Sequence, residues 1–379
     1  MTQSVYITKT ASFLPNAPVD NDNMERILGQ PGARPSRARR TVLRSNGIKT
    51  RHYAIDPETL APTHSNASLA AEAVRRLDAD LSDVGVLASG TSIPDQIVPG
   101  HGVMVHGELG SPGLEVVSTS GVCISGAAAL KYAYFSVASG MHARAISTGS
   151  ELSSAVFGAK NYSAEVEAKV TELETQPELA FEKDFLRWML SDGAGAMLLE
   201  SAPREGALNL RLDWIEIQSY AGEMETCMYA GAVKNEDGSV TGWARFDGDE
   251  RARNSVMAVK QDVRLLNDNV MHYAAERPLK YCIEKHNLKP EAISWFLPHY
   301  SSEFFRPRLH QAIQNVGFDI PLERWFTNLT TRGNTGAASI YIMLDELVRS
   351  GNLKRGERVL CWVPESGRFS GCFFQVTAV

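Results

Sequence analysis

No apolar stretch in the 379 residues is long enough to cross a bilayer, so no membrane-spanning helix is expected. Cysteine is scarce. Cys123, Cys227, Cys282, Cys361 and Cys372 are an odd number at scattered spacings, with no CxxC pair. That argues against a disulfide framework or a zinc site and points to a reducing cytoplasm. An excess of positive charge is missing too. The formal net charge is −6 with no long run of one sign, which leaves no basis for nucleic-acid binding. The opening MTQSVYITKTASFLP lacks the charged start and long apolar stretch of a secretory signal.

What is present is ordinary for a soluble globular chain: 44% apolar and 22% charged residues. The length suits two domains or one duplicated unit. Short apolar runs of β character alternate with longer amphipathic segments, which predicts a layered α/β fold. SVYITKTASFLP, VGVLASGTS, RAISTGSEL and GAGAMLLES read as strands in the first half. SNASLAAEAVRRLDAD reads as a helix with a Ser/Asn start. In the second half LRLDWIEIQS and ISWFLPHY read as strands, and ERVLCWVPES with GCFFQVTAV as a terminal hairpin. The segment from Asn254 to His286 reads as one long helix, and SIYIMLDELVRSG as another. The similar order of the halves predicts a duplication, 1–200 and 201–379. The polar stretch from Asn161 to Leu186 reads as an inserted helical cap.

VVSTSGVCISGAAALKYAYFSVASG sets one thiol, Cys123, where an apolar strand turns into an Ala-rich helix. A thiolate there feels unpaired backbone N–H groups and the positive end of the helix dipole, which lowers its pKa. A nucleophile also needs a partner. Of nine histidines, His299 in WFLPHYSS ends an apolar strand just after a proline, where a side chain projects into a crevice at the sheet edge. Asn334 in TTRGNTGAAS occupies a Gly-flanked turn that leads into a helix. Each alone also fits a packing thiol, a structural histidine and a capping asparagine.

Together these segments resemble the ketosynthase III branch of the thiolase superfamily. RSNGIKTRHYA, SDGAGAMLLE, WFLPHYSS, RGNTGAAS and RSGNLKRGERVL follow that family's motifs in order over almost the whole chain. The resemblance implies a duplicated αβαβα five-layer thiolase-like fold and a homodimer. It implies that Cys123 accepts an acyl group from a thioester. His299 and Asn334 would hold the enolate of a second thioester, and that enolate attacks the acyl-cysteine. No resident cofactor or metal is implied, since the substrates ride as thioesters on phosphopantetheine.

Two departures bear on substrate. The family's Gly-Gly-Gly-Phe turn appears here as ESGRFSG; N–H groups of Gly367 or Arg368 are expected to complete an oxyanion hole with that of Cys123. Thr41 and Ser45 stand where coenzyme A-using members carry the Trp and Arg that sandwich adenine, which favours acyl carrier protein as the donor. Carrier proteins are acidic, so a basic rim is expected among Arg34, Arg37, Arg39, Arg40 and Arg44, or among Arg251, Arg253, Lys260 and Arg264. Glu151 in STGSELSS is either an additional acid or base or, in the preferred reading, a hydrogen bonder at the dimer interface.

The nucleophile segment and ESGRFSG are similar to enzymes that join two acyl chains, a β-ketoacyl and an unsaturated one, and cyclise them towards dialkylresorcinols or stilbene precursors. The alternatives are chain initiation by decarboxylative condensation with malonyl carrier protein, acyl transfer to an alcohol or amine, and a non-catalytic partner subunit of the same fold.

Overall fold

The computed structural model describes residues 3–30, 39–161 and 186–379. Nine strands make one mixed sheet: β1 (Tyr6–Phe13), β2 (Val86–Thr91), β3 (Glu115–Ser120), β4 (Arg144–Glu151), β5 (Gly193–Glu200), β6 (Leu210–Ser219), β7 (Trp295–Pro298), β8 (Arg358–Glu365) and β9 (Ser370–Ala378). Their order is β7-β8-β9-β6-β1-β5-β4-β2-β3. Outward from the β1/β6 junction, each half runs the same way: its first strand, its last, the one before, then an earlier strand in parallel. Between the halves, β1 pairs with β6 at Tyr6 with Arg211 and Ile7 with Leu210. The 200/201 division falls in the connection between β5 and β6.

The helices complete five layers. α1 (Asn66–Arg75) and α2 (His101–Leu109) cover the outer face of the first half. α3 (Ile124–Ala138) and α5 (Ser339–Arg349) lie in the middle and touch strands of both halves, while α4 (Arg277–His286) packs outside the second. The apolar runs read as strands are accordingly buried on both faces. In β8, Val359, Cys361 and Val363 enter the central core, while Leu360 and Trp362 enter the outer one. α1 starts where expected, with Ser65 and Ser68 forming a reciprocal cap.

Small residues let the middle layer pack closely. A Cβ on Gly126 of α3, or on Gly149 of β4, would lie 2.3 Å from the carbonyl oxygen of Ala337. The turn before α5 is thereby pressed against the start of α3.

The long helix expected from Asn254 is corrected. Lys260–Gln261 pairs antiparallel with Met228–Tyr229 as a short strand. The helix starts only at Val263, where Asp262 accepts the Leu265 N–H at 2.9 Å. It widens into a π-turn over His272–Glu276 before α4. Pro278, in the first turn of α4, has no N–H to continue the regular ladder. Of the polar segment 161–186 only the end residues are among those described, so the reading of an inserted cap lies outside them.

Candidate active site

β3 stops at Ser120, the chain turns through Gly121 at φ 147°, and Cys123 is the residue from which α3 starts. Ser125 closes this turn with its N–H and its hydroxyl, both onto the Val122 carbonyl. The thiol is therefore held at the N-terminus of a 15-residue helix, at the carboxyl end of a strand.

His299 follows β7, and its N–H donates to the Trp362 carbonyl of neighbouring β8 at 2.9 Å. Asn334 is clamped by backbone: its N–H donates to Met189 O at 2.9 Å, and its carbonyl accepts from Ser191 N–H at 2.8 Å. The side-chain Oδ1 accepts the Gly336 N–H at 2.9 Å. With the amide oxygen committed to its own turn, Nδ2 is the end left to donate to a ligand.

The tertiary fold brings these three together. Cys123, His299, Asn334 and Glu151 line one cavity with about 920 Å³ of space between its walls, mouth included. Most of the wall is apolar, including Phe157, Leu186, Val259, Leu266, Val270 and Phe305. No Lys or Arg is among the described residues lining it. This composition suits an aliphatic ligand with a small polar head.

Burial sets the protonation states. The His299 pKa is pushed down to about 4 by burial, so the ring is neutral at pH 7 and one nitrogen carries a proton to donate. The lowered thiol pKa expected at the helix start is opposed: burial, then the carboxylates of Glu151 and Glu365, push the Cys123 thiol up. Glu151 is raised to about 7 by burial, against hydrogen bonds that favour its charged form. Its Oε2 accepts from the Ser92 hydroxyl at 2.6 Å and the Ala337 N–H at 3.2 Å; Oε1 has a long contact, 3.5 Å, with Thr91 Oγ1. These partners all lie within its own chain.

The ESGRFSG turn departs from expectation. Gly367 N–H donates to Glu365 Oε1 at 2.7 Å, and Arg368 N–H to Glu365 Oε2 at 3.4 Å. The two N–H groups assigned to an oxyanion hole are thus taken by a carboxylate of the same turn, and only that of Cys123 has no such competitor. Arg368 is exposed and donates its Nε to the Met224 carbonyl at 2.7 Å, away from the cavity wall. Sequence reasoning missed Glu365; its signal was a carboxylate closing an otherwise apolar strand, VLCWVPE.

Among the rim candidates, Lys260 lies between the lining residues Val259 and Gln261 and donates to the Asn254 carbonyl at 2.9 Å. Arg253 and Arg264 are exposed, and Arg264 is 4.0 Å from Asp268. Arg40 and Arg44 are exposed on the short helix Arg39–Asn46. Arg251 donates to the Trp243 and Phe246 carbonyls, and Arg39 pairs with Glu25 at 3.6 Å. Arg34 and Arg37 lie outside the described residues.

The family model of the 3-oxoacyl-(acyl carrier protein) synthase III C-terminal domain matches residues 283–373, a span that holds His299, Asn334 and Glu365. Residues 283–373 are thus similar to a ketosynthase III C-terminal domain. The described residues have the thiolase fold. A variant of OleA from Xanthomonas campestris, solved with bound lauric acid and lauroyl-CoA, superposes with TM-score 0.75 at 18% identity over 100% of both chains. The tetronic acid condensing enzyme AbyA1 gives 0.73 at 18% identity, covering 98% of this chain and 99% of that one. Beta-ketoacyl-(acyl carrier protein) synthase III from Thermus thermophilus gives 0.70 at 21% identity, covering 98% of each. The shared fold accounts for the strand order of the nine-stranded sheet.

Proposed function

We propose that this protein is a condensing acyltransferase that forms a C–C bond between two acyl thioesters through an acyl group held on Cys123. The observation that carries the reading is the sharing of one apolar cavity by Cys123, neutral His299 and the outward-facing amide of Asn334. His299 and Asn334 donate to the thioester oxygen on which enolate charge develops; each such donor is typically worth about 3–4 kcal/mol of barrier. The acceptor chain lies along the wall formed by Phe157, Leu186, Leu266 and Val270.

The finer reading is the joining of a β-ketoacyl and an unsaturated acyl chain, followed by ring closure of the dialkylresorcinol or stilbene-precursor kind. A cavity wall without Lys or Arg among its described residues favours two uncharged chains over a malonyl unit. The relative solved with lauric acid and lauroyl-CoA shows that this fold accommodates long aliphatic groups. The acyl groups arrive on acyl carrier protein, which docks by charge at Lys260, Arg253 and Arg264, or at Arg40 and Arg44.

The working unit is a homodimer in the cytoplasm. Among the described residues β3 is the last strand of the sheet, with one edge unpaired. Exposed Ile97, Val98, Val103 and Phe135 lie on the segments immediately before and after it. Gel filtration should give a dimer, and Val98→Asp with Phe135→Asp a monomer.

Incubation with acyl-loaded carrier protein should add one acyl mass, absent in Cys123→Ala. Labelling that persists in the variant would sink the assignment, and no labelling at all would identify a non-catalytic partner subunit. Paired β-ketoacyl and enoyl thioesters should yield a cyclic product; a linear β-ketoacyl product from malonyl carrier protein makes it a chain-initiating enzyme instead.

A further inference from the structure

The proposed condensation leaves one question of electron balance: what supplies the carbanion. A malonyl unit supplies it by losing carbon dioxide, and needs no base. Its free carboxylate would have to enter a cavity whose described lining offers no Lys or Arg and which already holds the Glu151 side chain. Uncharged acyl thioesters meet no such repulsion, but a base must then remove a proton from the carbon next to the carbonyl. The described ionisable groups on the cavity wall are Cys123, Glu151, His299 and Tyr300. Cys123 is occupied by the first acyl group. His299 is the neutral donor to the thioester oxygen, and the Tyr300 hydroxyl donates to Glu303 at 3.1 Å.

We propose that Glu151 is the general base that removes the α-proton of the second acyl thioester, so that this cavity condenses uncharged acyl chains without decarboxylation. This rests on the acyl-cysteine reading above. The geometry fits the role. Glu151 ends β4 beside the nucleophile's helix start, is 4% exposed, and lines the same cavity as Cys123, His299 and Asn334. Oε2 carries the two shorter bonds, from Ser92 and Ala337, and so fixes the carboxylate. The backbone N–H groups of Ser92 and Ile93 also favour the charged form; a carboxylate offers about four lone-pair sites, and Oε1, whose contact to Thr91 is long, still has room for a proton.

The same anchoring ties the base to the enolate donor. Ala337 and Gly336 belong to the turn that carries Asn334, and Gly336 N–H is the group that holds Asn334 Oδ1. Gly336 sits at φ 52°, and a Cβ there would lie 2.3 Å from Glu151 Oε2. The turn can wrap the carboxylate only because that position is glycine. One loop therefore sets both the base and the oxygen-binding amide. Dry burial, which raises Glu151 to about 7, gives it more basicity than an exposed carboxylate while leaving much of it ionised at neutral pH.

The step balances. The Cα–H bond breaks and its proton passes to Glu151 Oε1, while the electron pair moves onto the thioester oxygen held by His299 and Asn334. The enolate carbon attacks the carbonyl of the acyl-Cys123 thioester, a C–C bond forms, and the C–S bond breaks. The departing Cys123 thiolate then takes the proton from Glu151, restoring thiol and carboxylate without any other reactant.

The test follows deuterium washout. With α,α-dideuterated octanoyl pantetheine, the wild-type protein should release deuterium to water, and Glu151→Gln should slow that release by about 10²–10⁴-fold while acylation of Cys123 is retained and no slower than in wild type, because the variant removes a charge that holds the thiol proton. Washout in Glu151→Gln within threefold of wild type overturns the proposal. So does a wild-type protein that acylates Cys123 but washes out no deuterium, an outcome that leaves the acyl-cysteine reading intact. Failure of wild type to acylate Cys123 at all sinks that reading first. If a folded Glu151→Gln loses acylation together with washout, the carboxylate only holds the Asn334 turn, which also overturns the proposal. Should Glu151→Gln not fold, Glu151→Asp decides: measurable washout supports the base, and normal acylation without washout refutes it.

Discussion

The carboxylate of Glu365 accepts the N–H of Gly367 at 2.7 Å, inside a turn that packs against the nucleophile segment. A Cβ on Gly367 would meet Glu365 Oε1 at 2.2 Å and the Val122 side chain at 3.2 Å, so carboxylate, turn and nucleophile segment are in close register. The same carboxylate is one of the charges that hold the Cys123 proton in place.

Glu365→Ala removes that charge and releases two N–H donors. Cys123 should then ionise more readily, and its alkylation by iodoacetamide at pH 8 should quicken by up to about tenfold, the equivalent of one pKa unit. An unchanged rate would show that burial alone sets the thiol's reactivity. Intact-mass time courses give the measurement.

Asn334→Ala should leave acyl loading of Cys123 within a few fold of wild type and slow condensation by about 10²–10³-fold, the typical cost of one lost donor to a developing oxyanion. Single-turnover experiments on pre-acylated protein separate the two steps. Equal loss in both would mean that the turn, rather than the amide, had been damaged.

Protonation of buried Glu151 couples stability to pH. Its folded pKa, about 7, lies above the 4.5 of a free carboxyl. The proton it keeps contributes stability fully below pH 4.5, and that contribution is lost as pH rises through 7. Glu151→Gln should therefore gain on wild type between pH 5 and pH 8, by at most about 3 kcal/mol, in urea unfolding. A pH-independent difference would contradict the buried, raised carboxyl.

His299 and His101 run the other way. Burial lowers each from 6.5 to about 4, so the unfolded chain binds more protons between those values. Their neutral burial is free of cost above pH 6.5, and stability is lost as pH falls from there through 4. His299→Gln should flatten that acid limb of the unfolding profile. A variant that is as acid-sensitive as wild type would count against a buried neutral ring.

Gly126→Ala places a methyl 2.3 Å from the Ala337 carbonyl, which neither helix start can yield easily. The cost should be about 1–3 kcal/mol of stability. Because Ala337 shares its turn with Asn334, condensation should fall as well, and thermal melts with product assays check both.

Period and punctuation in the chain were enough to place most elements: the Ser65 cap and the terminal hairpin of ERVLCWVPES with GCFFQVTAV were both legible. Cys123, His299 and Asn334 could be singled out as candidates because each sits in a local motif whose residues follow a recognisable order, and the cavity brings the three together. The helix from Asn254 was misread because burial of Val256 and Val259, with pairing of Lys260–Gln261 to Met228–Tyr229, overrides local helical spacing. Only the tertiary structure decided what the carboxylates touch. Glu151 and Glu365 are separated by more than two hundred residues, and neither belongs to a motif that names a role. Their partners, Ala337 and Gly367, are backbone N–H groups, which every non-proline residue possesses and no sequence pattern marks. The raised carboxyl of Glu151, the neutral ring of His299 and the retained proton of Cys123 arise from exclusion of water by side chains drawn from both halves, a property that exists only once the cavity has closed.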